Sequence, residues 1–116
     1  MYMVMFILDD PMLLDDILDS WYAAGIHGAT IFESTGIFRK RAKRLNIPIR
    51  YNITHASTNY EGNVTLLAMV SNEEMVKACL EATEKVVGDL SRPHTGIFTS
   101  WPLSVSKGLP KEMEGG

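Results

Sequence analysis

The chain has 116 residues, a formal net charge of −3, 46% hydrophobic residues and 22% charged residues. That composition fits one soluble globular domain with an ordinary core, and the negative balance excludes a generally basic nucleic-acid binder. Cys79 is the only cysteine, so an intrachain disulfide is excluded too.

Tyr2–Leu8 is a continuous apolar run of strand length, suited to a central strand buried on both faces or buried in an oligomer. It is short, ends in Asp9-Asp10 and has no basic n-region or small-residue cleavage site, so it does not read as a signal peptide. Asp10-Pro11 then supplies a helix start, an Asp N-cap with Pro at the first helical position. Leu14, Ile17, Leu18, Trp21 and Tyr22 follow at helical spacing, with Asp15, Asp16 and Asp19 on the other face. Gly25 marks the C-terminal cap. A second strand is expected over residues 29–38, entered through Gly28-Ala29-Thr30 and interrupted by a turn signal at Gly36.

No periodicity persists over residues 39–62, which contain Asn46, Pro48, Asn52 and Asn59. A connection of that length is uncommon in a compact domain and is usually functional or disordered. Its charge is single-signed. Arg39, Lys40, Arg41, Lys43, Arg44 and Arg50 meet no acidic residue between positions 34 and 60, whereas the rest of the chain carries 5 basic and 14 acidic residues, a balance of −9. Such a patch suits an anionic partner or ligand.

Strand character returns over Asn63–Val70. Ser71-Asn72-Glu73-Glu74 reads as a capping box, opening a second helix with Met75, Val76, Cys79, Leu80, Thr83, Val86 and Val87 on one side. Glu73 with Lys77, and Glu81 with Lys85, are favourable i,i+4 pairs on the other side. Gly88 ends the helix. A turn-rich connection leads to a fourth strand over residues 96–101, closed by Pro102, with Val105 expected in a short edge segment and a frayed tail beyond.

The predicted order is β-α-β-β-α-β, an α+β ferredoxin-like sandwich with both helices on one sheet face. One domain spans residues 1–116, with the long excursion at 39–62. The second sheet face needs a cover, and oligomerisation is the economical one.

Two stretches carry a family resemblance. Gly28-Ala29-Thr30 through Gly36-Ile37-Phe38-Arg39 resembles the helix-to-strand-to-loop passage of the nitrogen-regulatory PII signal proteins, where a Gly-Met-Thr-like turn leads into a Gly-x-Gly-Arg-like loop base. Thr95-Gly96-Ile97-Phe98 resembles the Gly-Lys-Ile-Phe run entering that family's last strand. The resemblance implies a cytoplasmic homotrimer that senses an adenine nucleotide (ATP, ADP or AMP) in clefts between subunits, with no required cofactor. It also implies a mobile T-loop contacting a protein or membrane-transporter partner. By position, Thr30, Gly36, Ile37, Phe38 and Arg39 would line the cleft together with Pro93, His94, Thr95 and Gly96, and Arg39, Lys40, Arg41, Lys43, Arg44 and Arg50 would form the partner-binding loop. Three departures stand out. Phe38 replaces the second loop glycine, Gly96 replaces the phosphate-gripping lysine, and only Lys107 and Lys111 stand where the family has a C-terminal arginine pair.

No catalytic constellation is legible. Glu33 is a single carboxylate without a paired acid or nucleophile, and Ser34-Thr35 has no adjacent histidine. His27, His55 and His94 lack metal-ligand spacing, and Cys79 on the apolar helix stripe reads as a small buried hydrophobe. Tyr51, Ser57, Thr58 and Tyr60 are loop hydroxyls open to modification. The expectation is a non-enzymatic PII-like signalling module without a metal site and without nucleic-acid binding. The alternative is a trimeric metal- or small-anion-binding protein of the metal-tolerance type, which shares the fold with shorter loops.

Overall fold

A computed structural model describes residues 1–34 and 62–109. It contains β1 (Tyr2–Leu8), a 3₁₀ turn (Pro11–Leu13), α1 (Leu14–Ala23), β2 (Thr30–Ser34), β3 (Asn63–Val70), α2 (Glu73–Val87) and β4 (Gly96–Pro102). The four strands form one antiparallel sheet in the order β2-β3-β1-β4. This α+β layout is compatible with the ferredoxin-like arrangement expected from the sequence.

β1 alternates between two environments, as strand geometry requires. Val4, Phe6 and Leu8 are buried, while Met3, Met5 and Ile7 are half-buried. The pairing of Val4 with Ala68, Phe6 with Leu66 and Leu8 with Val64 carries the same face across β3. Ile17 and Trp21 of α1 and Cys79 and Ala82 of α2 complete this core. Phe98 joins from β4, its ring 6.4 Å from that of Phe6. β1 is thus buried on its helix side only, not on both faces as one reading of its apolar run allowed. The opposite face carries Met3, Met5, Ile7, Phe32, Leu67, Met69, Ile97 and Trp101 by register.

The helix boundaries follow local chemistry. The Asp10 side chain accepts from Met12 N at 3.0 Å, capping a 3₁₀ turn that runs into α1. α1 ends in a Schellman motif: Ile26 N donates to Trp21 O, and Gly25 N to Tyr22 O. Gly25 sits at φ +100° one residue beyond the cap, Ala24. Buried Ile26 and Trp21 supply the apolar contact that accompanies this motif.

Three sequence expectations shift, and a fourth falls largely outside the described residues. α2 is capped by Asn72, whose side chain accepts from Met75 N at 2.9 Å. Ser71 therefore lies outside the helix, and the expected Ser71–Glu74 box does not form its cap. Asn is at least as good a cap as Ser, and its extended backbone aims the amide oxygen at the open N–H. Tyr22 is exposed rather than part of the α1 stripe, with its ring 4.5 Å from that of His27. β2 is described from Thr30 to Ser34, and its expected continuation over 35–38 lies outside the described residues. Val105 is exposed and belongs to no strand.

Two hydroxyls join the helices, Thr83 buried and Ser20 half-buried. Trp21 Nε1 donates to Thr83 Oγ1 at 2.8 Å, and Thr83 Oγ1 donates to Cys79 O at 2.7 Å. Ser20 Oγ donates to Ala82 O at 2.8 Å. Burial pushes the Cys79 thiol up to about 12, opposed by its contact with Thr83, so it behaves as a neutral core side chain. Among the described residues, no helix is long and apolar enough to cross a membrane.

Candidate functional site

The described part of the candidate ligand site consists of Thr30 on β2 and the turn at residues 93–96. Gly36, Ile37, Phe38 and Arg39 lie outside the described residues, as do Lys40, Arg41, Lys43, Arg44 and Arg50 of the expected partner loop.

The turn before β4 is held by short-range hydrogen bonds. Gly88 ends α2 at φ +88° and ψ −165°, a region closed to residues with a Cβ. The Glu84 carboxylate accepts from Leu90 N at 3.0 Å, tying the exit of the helix to its last turn. The Asp89 carboxylate accepts from Ser91 N at 2.9 Å and from Ser91 Oγ at 2.7 Å. The backbone bond first, then the hydroxyl bond, holds the Asp89 carboxyl below its usual range. Arg92 N donates to Asp89 O, and Thr95 Oγ1 donates to Arg92 O at 2.9 Å. Pro93 and His94 are exposed, and His94 takes φ +64°, a left-handed conformation that favours polar residues in turns.

These contacts define what the turn offers a ligand. The one hydroxyl proton of Thr95 is committed to Arg92 O, so this oxygen presents an acceptor, not a donor, to anything docking there. Gly96 has a structural requirement of its own. It sits at φ +136°, and a Cβ there would lie 2.4 Å from Ile7 O and 2.9 Å from the Phe6 ring. No lysine can occupy this backbone position without moving β1 away. The exposed cation of the turn is Arg92, four residues before the position at which the family motif has its lysine. The clue was in the sequence: Arg92 is the basic residue immediately before Pro93-His94-Thr95.

The structure does not bring the two described parts together within one chain. Thr30 pairs with Leu67, Leu67 with Met5, and Met5 with Thr99, so Thr30 and the start of β4 stand on opposite edges of the sheet. Three strand spacings separate them, ~14 Å across, and the three-residue offset from Thr99 to Gly96 adds ~10 Å along the strand. A single phosphate cannot touch both from one chain. Two recesses on the described surface lie elsewhere. One, of about 140 Å³, is at the end of α1 beside Tyr22 and His27. The other, of about 200 Å³, is between α1 and α2 over Ala24 and Ala82. Both are smaller than the ~300–1,000 Å³ typical of small-molecule sites.

Among the described residues no group of three or more His, Cys, Asp or Glu side chains is placed to hold a metal ion. Against known families and curated proteins, the chain matches no family model and no curated sequence.

Proposed function

We propose that this chain is a PII-like signalling protein of ferredoxin-like fold that works as a cytoplasmic trimer and acts by binding rather than catalysis. A small anion, most simply ATP, ADP or AMP, binds between subunits, and the basic segment over residues 39–50 contacts an acidic or phosphate-rich protein or transporter partner. The observation that carries this reading is the placement of Thr30 and the 93–96 turn on opposite edges of one sheet. Residues divided in this way suit a cleft closed by the β2 edge of one copy and the β4 edge of the next. The basic segment between β2 and β3 supports the partner role through its six unopposed charges. An anionic surface relieves their repulsion and adds charge-assisted hydrogen bonds. Arg92 is the cation nearest in sequence to the turn and takes the place of the lysine that Gly96 excludes.

Calorimetry with millimolar ATP, ADP and AMP tests the ligand. Binding that weakens at least ~10-fold in Arg92→Ala supports the cleft assignment, and no heat with any of the three sinks nucleotide sensing. For the loop, Arg41→Ser/Lys43→Ser/Arg44→Ser should abolish capture of an acidic partner without changing assembly. Unchanged capture removes the loop from the proposal.

A further inference from the structure

Methionine is segregated on this sheet. The helix-facing side of the two central strands is built from Tyr2, Val4, Phe6, Leu8, Val64, Leu66, Ala68 and Val70. All three methionines of these strands, Met3, Met5 and Met69, point to the other side, and all are half-buried there. They are neighbours: Met3 pairs with Met69 on β3 and with Trp101 on β4, and Met5 lies two residues along the same strand. Met is less at home in strands than Val or Ile, so local propensity does not account for the clustering.

The surrounding face is uncharged, and Thr30, Thr65 and Thr99 stand among its apolar side chains. Phe32, Ile97 and Trp101 are 44%, 56% and 41% exposed, and with the half-buried side chains they present ~500 Å² of apolar surface, at the upper end for a monomer. That area matches the apolar core of a standard interface of ~800 Å² per partner. No described residue on the face is charged. A second copy meets no like-charge repulsion there, which makes this chain itself the fitting occupant.

We propose that oxidation of Met3, Met5 and Met69 to sulfoxides is a redox switch on this contact, blocking self-assembly; the switch rests on the assembly reading above. The oxidant is a peroxide. Its O–O bond breaks, one oxygen is transferred to the thioether sulfur, and with hydrogen peroxide the other leaves as water. The product replaces a flexible apolar side chain by a polar one, and the change is reversible by enzymatic reduction of the sulfoxide. Covering a sulfoxide without a hydrogen-bond donor weakens association on the order of tenfold per methionine.

The test treats the purified full chain with hydrogen peroxide, reads mass by light scattering and locates each added oxygen by peptide mass spectrometry. Met12, 85% exposed and off this face, reports that oxidant is present, while the buried neutral thiol of Cys79 stays unmodified. The expected result is an assembly that falls to single chains as positions 3, 5 and 69 gain oxygen. Met3→Leu/Met5→Leu/Met69→Leu keeps the volume and the assembly and becomes indifferent to peroxide. An assembly that persists with all three sulfurs oxidised overturns the switch, as does equal dissociation of the leucine variant. Failure of the three methionines to oxidise while Met12 does also overturns it. Single chains before any peroxide overturn the assembly reading itself, and the switch with it.

Discussion

Thr83→Val is the sharpest probe of how the two helices are joined. Valine keeps the branched shape and nearly the volume of threonine but removes the oxygen to which Trp21 Nε1 donates at 2.8 Å. Both side chains are buried, so water cannot replace the lost acceptor. A buried donor left without a partner costs ~1–3 kcal/mol. Loss of the hydroxyl's own bond to Cys79 O adds little, because that carbonyl also accepts the regular helical N–H bond. The expected destabilisation is therefore about 2 kcal/mol, or roughly 8 °C in Tm for a domain of this size. Trp21→Phe removes the donor instead and leaves Thr83 satisfied by Cys79 O, so its cost comes from lost ring volume. In the double variant no indole N–H is left unpaired, and the coupling should reach ~1 kcal/mol or more. Urea unfolding followed by circular dichroism, at one fixed protein concentration so that association does not shift the baseline, measures all four corners of the cycle. A Thr83→Val effect below about 0.5 kcal/mol together with zero coupling would refute the account of this hydrogen bond.

Cys79 predicts an alkaline limb. Burial pushes its folded pKa up to about 12, above the ordinary thiol value of 9.0, so the neutral thiol contributes fully below pH 9. That contribution is lost between pH 9 and 12 at up to about 1.4 kcal/mol per pH unit. Cys79→Ala should flatten this limb, and parallel stability curves for the two proteins from pH 8 to 11 would contradict it. Gly96→Ala should cost ~3 kcal/mol or prevent folding, through its positive φ and its approach to Ile7 O; normal urea unfolding of this variant would show that the approach relaxes freely. Asn72→Ala should cost about 1 kcal/mol, against a few tenths for Ser71→Ala. The reverse order would restore Ser71 as the cap. The Asp89 carboxyl, held low by Ser91, should titrate below the ordinary carboxylate range in an NMR pH series. Its small contribution is present above the unfolded pKa and lost as acid takes pH through the folded one. Asp89 titrating at or above that range would show that the Ser91 bonds do not persist in solution.

The fold was legible where local chemistry and tertiary demand agree. Tyr2–Leu8 and Asn63–Val70 appear with the bounds their apolar runs imply, with strand-disfavouring Asp9 closing the first and Gly62 preceding the second. Asp10 before Pro11, Gly25 and Gly88 mark helix limits by short-range hydrogen bonding and backbone freedom, which travel with the sequence. Asn72 escaped because two adjacent residues can each cap, and a spacing rule built around Glu74 favoured the wrong one. Tyr22 escaped because helical spacing reports a stripe without its edges, and a tyrosine at the edge packs equally well against a neighbouring ring, here His27.

The candidate site was harder to read, and Gly96 shows why. Compared with a family motif, it stands as a missing lysine. In the fold it is the residue whose backbone passes against Ile7 O and the Phe6 ring, contacts made with a strand almost the whole chain away. A one-dimensional motif registers the loss of a charge and is blind to the close approach that forbids any side chain there. The same blindness hid Arg92, an exposed cation four residues earlier in a turn braced by Asp89 and Thr95. It also hid the separation of Thr30 from that turn, since the register linking them runs through Leu67, Met5 and Thr99 on three different strands. The residues that would bind were nameable from the sequence. That one chain holds them on opposite edges was not, and this separation is what makes a second copy part of the site argument.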